Sequence, residues 1–80
     1  MNTREAVANR ILTLCDQNNI TPNGLSYISA VPQATIKSIL NGESQNHGVV
    51  TIKKLCDGFD ITLEEFFSAP EFNNLEQEIK

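Results

Sequence analysis

The sequence predicts an all-α fold: a compact domain of five helices, with a pattern for a short sixth at the C-terminus. Three observations lead there. Apolar residues recur at three- and four-residue spacing through most of the chain. No run alternates apolar and polar residues as a half-buried strand does. Helix start and stop signals cut the 80 residues into short segments. The length holds one domain, and a chain of this size buries only about 60% of the surface its unfolded form exposes. With four Phe, one Tyr and no Trp, the core must be mostly aliphatic.

Val7, Ile11, Leu14 and Cys15 form the apolar stripe of the first helix, which Gln17-Asn18-Asn19 ends. Thr21 caps the second and Pro22 occupies its first position, where the missing N–H costs nothing. Leu25 faces the core, and Ser26 and Ser29 are small enough for another helix to approach. Ile36, Ile39 and Leu40 supply the inner face of the third helix, and Gly42 suits the left-handed residue after it. Val49, Ile52, Leu55, Cys56 and Phe59 stripe a fourth helix opened by Gly48. Thr62 and Glu65 make a capping box for the fifth, with Ile61 and Phe66 as its hydrophobic staple and Pro70 soon after its end. Phe72, Leu75 and Ile79 then recur at helical spacing. These signals divide the chain into a domain over residues 1–69 and an acidic C-terminal segment over 70–80.

Composition removes several function classes. No stretch approaches the roughly 20 apolar residues of a membrane span, and the chain is polar from its start, MNTRE. The expectation is a cytoplasmic protein whose two cysteines, Cys15 and Cys56, are reduced thiols packed in the core. One His and two distant Cys do not make a metal ligand set, so no metal, cofactor or small-molecule ligand is expected. An enzyme is not expected either. His47 has no nucleophile in a recognisable frame, and the Glu64–Glu65 pair is accounted for by the capping box.

The net charge of −4 is unevenly spread. Residues 1–54 hold five basic and three acidic side chains, a balance of +2; residues 55–80 hold one basic and seven acidic, a balance of −6. The chain is weakly basic first and acidic at its end.

The second and third helices carry the chemistry. Two short helices joined by a tight turn through Ala30-Val31 have helix-turn-helix spacing. With Ile36, Ile39 and Leu40 inward, Gln33, Ala34, Lys37 and Ser38 are outward, and Thr35 lies near the first turn. Gln can bond an adenine edge bidentately, Ala and the Thr methyl can pack on a thymine methyl, and Lys reaches guanine or phosphate. No carboxylate stands on this face. After the polar loop, Lys53 and Lys54 flank the inward Ile52 and Leu55, so at least one must face solvent and can meet phosphate.

From about Val7 to Phe67, "ITPNGLSYISAVPQATIKSILNG" followed by "TIKKLCDGFDITLEEFF" resembles the phage-repressor helix-turn-helix family, of Cro and repressor type, often called XRE. The resemblance implies a five-helix domain whose third helix reads the major groove of double-stranded DNA. It implies base contacts from Gln33 and Ala34, base or phosphate contacts from Lys37 and Ser38, and a supporting phosphate contact from Thr35. It also implies a backbone-clamping loop from Asn41 to Gly48, including Asn41, Ser44, Asn46 and His47. Three positions depart from the family pattern. Pro22 stands where a phosphate-holding Gln is common. Leu40 and Cys15 stand where some members bury an acidic residue against Arg, and an apolar contact can replace such a pair without loss of stability.

The function expected is a sequence-specific transcriptional regulator, most simply a repressor. The competing reading is a protein-interaction or antitoxin-like module working through the acidic segment. One short recognition helix reads few base pairs, so a homodimer on paired half-sites is expected. The Phe72, Leu75 and Ile79 stripe is its expected interface.

Overall fold

In the computed structural model, which describes residues 2–42 and 48–79, the described residues form five α-helices and no strand. These are α1 (Thr3–Gln17), α2 (Pro22–Ser29), α3 (Gln33–Leu40), α4 (Val49–Phe59) and α5 (Leu63–Phe67). A 3-10 helix, Pro70–Phe72, follows.

The helix boundaries have local causes. The Asn2 side chain accepts from the Glu5 N–H at 2.8 Å and starts α1. Thr21 Oγ1 accepts from the Gly24 N–H at 3.1 Å and starts α2. In the capping box of α5, Thr62 Oγ1 accepts from the Glu65 N–H and Glu65 Oε1 accepts from the Thr62 N–H, both at 3.0 Å. The ends of α1 and α4 share one turn. At the first, Asn19 takes a left-handed φ of 55° and the Ile20 N–H donates to the Cys15 carbonyl at 3.0 Å. At the second, Asp60 takes φ 60° and the Ile61 N–H donates to the Cys56 carbonyl at 3.0 Å. The corresponding segments read "CDQNNIT" and "CDGFDIT". In each, Asn or Asp tolerates the left-handed conformation, the following Ile packs on the core, and the Thr after it caps the next helix.

Phe66, Ile11, Leu25, Ile36, Ile39, Leu55 and Cys56 are fully buried at the centre. Helix α2 packs on α3 and α4, while α1 crosses α3 and reaches the 3-10 helix. The radius of gyration, 12.0 Å, is close to the roughly 11.6 Å expected of a compact chain of this length. Arg10 closes the bottom of the core. Its Nε donates to the Phe66 carbonyl and its Nη2 to the Glu65 carbonyl, both at 2.8 Å, with the guanidinium 5.9 Å from the Phe66 ring centroid. A cation here meets the carbonyl end of α5, where the helix dipole favours it.

Both thiols are free and buried, as the sequence predicts. Burial pushes both up from the ordinary thiol range; at Cys56 the nearby Lys53 opposes the shift only in part. No helix among the described residues is long and apolar enough to cross a membrane.

Two expectations are corrected. The sixth helix does not form beyond the 3-10 turn. Asn73-Asn74 disfavour a helix because their side chains compete for backbone hydrogen bonds. Phe72 is held against Phe66 and Phe67, with ring centroids at 5.9 and 5.0 Å. The chain then runs back to α1, where Thr3 Oγ1 donates to Glu78 Oε2 at 2.8 Å. Phe72, Leu75 and Ile79 therefore share no helical stripe: Phe72 packs on the domain's own core, Leu75 is half-buried and Ile79 is exposed. Val49 also leaves the expected stripe of α4. With Val50 it is exposed in the first turn, and burial in α4 begins at Ile52.

Candidate nucleic-acid interface

The tight connection between α2 and α3 rests on three residues. Ala30 takes a left-handed conformation, φ 60° and ψ 21°, and reverses the chain. Val31 is buried and anchors the turn in the core. Pro32, extended at φ −57° and ψ 144°, precedes α3, and its carbonyl accepts from the N–H groups of Thr35 and Ile36 at 3.0 and 3.1 Å. No side chain caps the start of α3, so its first N–H groups remain open to a ligand.

The apolar spacing orients α3 as expected. Ile36 and Ile39 are buried, and Leu40 is half-buried against the core that contains Cys15. Gln33, Ala34, Lys37 and Asn41 are exposed, while Thr35 and Ser38 are half-buried on its flanks. An open cleft of about 520 Å³ separates this face from the first turn of α2. Pro22, Asn23, Gln33, Ala34, Lys37 and Asn41 line it, together with Ile36 and Leu40. None of the described residues that line it is acidic. Lys53 and Lys54 are both exposed on α4, and Lys53 is ion-paired with Asp57 one turn on. The expected loop contacts Ser44, Asn46 and His47 lie outside the described residues.

Asn23 is a polar neighbour of the exposed α3 face that motif matching passes over. Pro22 has no donor to offer, but the next residue is an exposed amide in the first turn of α2, on the same cleft as Gln33 and Lys37. The available signal was a hydrogen-bonding side chain directly after the N-terminal proline, at the end of α2 nearest the turn-related helix. Arg10, by contrast, contributes to the basic count of the sequence but is committed to the carbonyls of α5.

The arrangement is a short helix with amide, methyl and ammonium groups outward, beside a polar cleft, on a rigid three-helix support. It can place hydrogen-bonding side chains against base edges while flanking groups meet phosphates. Comparison with known proteins identifies the fold. The solved structure of prophage Lp1 protein 11 superposes with a TM-score of 0.81 at 29% sequence identity, covering 94% of this chain and 100% of that one. No curated protein sequence matches the chain. A family model described as the Cro/C1-type HTH DNA-binding domain matches residues 10–71. With that match spanning most of its length, the chain belongs to the Cro/C1-type helix-turn-helix DNA-binding domain family.

Proposed function

We propose that this chain is a sequence-specific transcriptional repressor that reads the major groove of double-stranded DNA with α3. The observation that supports this most is the composition of the exposed α3 face. Gln33, Ala34 and Lys37 stand outward on a cleft that no carboxylate among the described residues lines, although acidic residues outnumber basic ones ten to six in the whole chain. In this reading Gln33 and Ala34 meet base edges, and Lys37 and Ser38 meet bases or phosphate. Thr35, Asn41, Lys53 and Lys54, with the loop residues Ser44, Asn46 and His47, follow the backbone. Repression follows from occupancy: a bound domain of this size covers promoter DNA.

The functional species is a homodimer on half-sites one DNA turn apart. Because Phe72 packs inward, the pairing surface shifts to Phe67, exposed at 42% on α5, with Leu75 and Ile79 beside the chain end. Selection from a randomised duplex pool at low salt tests the whole reading. It is expected to return a two-fold symmetric sequence, and a pool that stays random after repeated rounds would refute sequence-specific readout.

A further inference from the structure

We infer that Arg4 is a phosphate contact that extends the DNA interface from the helix-turn-helix onto the start of α1. The inference rests on the DNA-binding reading above and adds an element outside residues 10–71, the span of the family domain.

A second cleft, of about 280 Å³, lies between the first turns of α1 and the end of α3. Arg4, Asn9, Asn41 and Gly42 are among its lining residues. It shares Leu40 and Asn41 with the cleft along the recognition face. The two depressions therefore meet at the C-terminal end of α3, and a nucleic-acid backbone that follows that face past Asn41 next encounters Arg4.

Arg4 is placed for this, and no carboxylate among the described residues neutralises it. One of its Nη1 hydrogens reaches the Gly42 carbonyl at 3.3 Å, which holds the side chain across the helix end. A guanidinium carries five N–H donors in a fixed fork, so one long bond leaves most of them for a ligand. Among the described residues no carboxylate lies within ion-pair distance of it, whereas Lys53 on α4 is already paired. Arg10, the other arginine, is fixed on α5. Arg4 is thus the arginine available for the bidentate phosphate geometry that lysine cannot supply. Glu5 lines the same cleft. It belongs to the first turn of α1, where the helix dipole favours a carboxylate, and it is exposed, so solvent and salt screen its repulsion of a phosphate.

Salt-dependent binding separates this role from a structural one. Affinity for the selected duplex is measured by fluorescence anisotropy from 50 to 200 mM salt for the wild type, Arg4→Gln and Arg4→Lys. Gln keeps a donor for the Gly42 carbonyl but removes the charge; Lys keeps the charge. Loss of one phosphate contact lowers the slope of log affinity against log salt by about 0.9. Arg4→Gln is therefore expected to lose about 3.5-fold less affinity than the wild type across that salt range, and to bind several-fold more weakly at its low end. Arg4→Lys is expected to keep the wild-type slope. Circular dichroism confirms that the variants are folded. An Arg4→Gln slope equal to that of the wild type overturns the inference and leaves the DNA reading intact. A wild-type chain that binds no duplex overturns the DNA reading itself, and this inference with it.

Discussion

Ser29 of α2 lies close against Gly58 of α4: a β-carbon built on Gly58 would lie 3.0 Å from Ser29 Cβ, 3.1 Å from Ser29 Cα and 3.2 Å from Ser29 N. Two of these three atoms are backbone, so the approach cannot be relieved by turning a side chain. Ser29 is itself fixed. Its Oγ donates to the Leu25 carbonyl at 2.6 Å and accepts from the Val31 N–H at 3.3 Å. The position of α2, and through Val31 the entry to α3, therefore depends on a glycine in a neighbouring helix. Gly58→Ala gains about 0.8–1 kcal/mol of helix propensity, but overpacking of this kind costs about 1–3 kcal/mol. The expected outcome is net destabilisation of about 1 kcal/mol in urea unfolding, with a larger loss for Gly58→Val. An unchanged or raised midpoint for Gly58→Ala would show that α2 can slide away freely.

Ala30 holds the turn between α2 and α3 in a left-handed conformation, φ 60°, that costs a residue with a β-carbon about 1–2 kcal/mol. Glycine removes that cost but adds about 0.5–1 kcal/mol of unfolded-state freedom. Ala30→Gly is expected to stabilise the domain by up to about 1 kcal/mol, read as a higher urea midpoint at unchanged denaturant dependence. A lower midpoint would mean that the Ala30 methyl has a packing role that its exposure does not suggest.

Stability is also expected to fall on the alkaline side. Burial raises both Cys15 and Cys56, while in the unfolded chain they ionise near about 8.5. Above that value the unfolded state has lost protons that the native state keeps. The thiol contribution is therefore fully present below the unfolded pKa and is lost as pH rises toward the folded ones. Urea midpoints measured between pH 7 and pH 10 should decline less steeply for the Cys15→Ala/Cys56→Ala double variant than for the wild type. Parallel declines would assign the alkaline loss to other groups.

The parts of this fold that are legible in sequence are those decided within a few residues. The caps at Thr21 and Thr62, the Pro22 start and the left-handed Gly42 each depend on local backbone chemistry, and so they can be read directly. The outward set on α3 is also local, because Ile36 and Ile39 leave the other positions no choice. Helical spacing alone misplaces the C-terminal stripe. Asn73-Asn74 and the packing of Phe72 on Phe66 and Phe67 redirect that segment, and only the fold brings those rings together. Arg10, Arg4 and Asn23 have surroundings set by partners that are remote in the chain or across a cleft, for which no motif exists.

At the recognition face, Gln33 is the first exposed long polar side chain after the turn. Gln33→Ala is expected to cost about 1–3 kcal/mol on the selected sequence and to leave binding to random duplex nearly unchanged. Competition binding against both duplexes measures the difference. Equal losses on the two would make Gln33 a backbone contact and shift base readout toward Lys37 and Ser38.

The adjacent lysines of α4 separate under the same electrostatic logic. Lys53 is ion-paired with Asp57, one helical turn away, whereas Lys54 is exposed with no such partner among the described residues. A phosphate must compete with Asp57 for Lys53, and among the described residues it meets no competitor at Lys54. Exposed pairs of this kind are worth at most about 1 kcal/mol and weaken with salt, so Lys53 is attenuated rather than silenced. Lys54→Ala is expected to weaken binding to specific and random duplexes alike and to lower the salt slope by about one contact, close to 0.9. Lys53→Ala should lower it by clearly less, and Asp57→Asn should raise it by releasing Lys53. The three variants leave the apolar face of α4 intact, because Ile52, Leu55 and Cys56 carry its burial. Salt titrations that give Lys53→Ala the larger effect would mean that the Asp57 pair opens on the DNA, and an unchanged slope in all three would remove α4 from the interface.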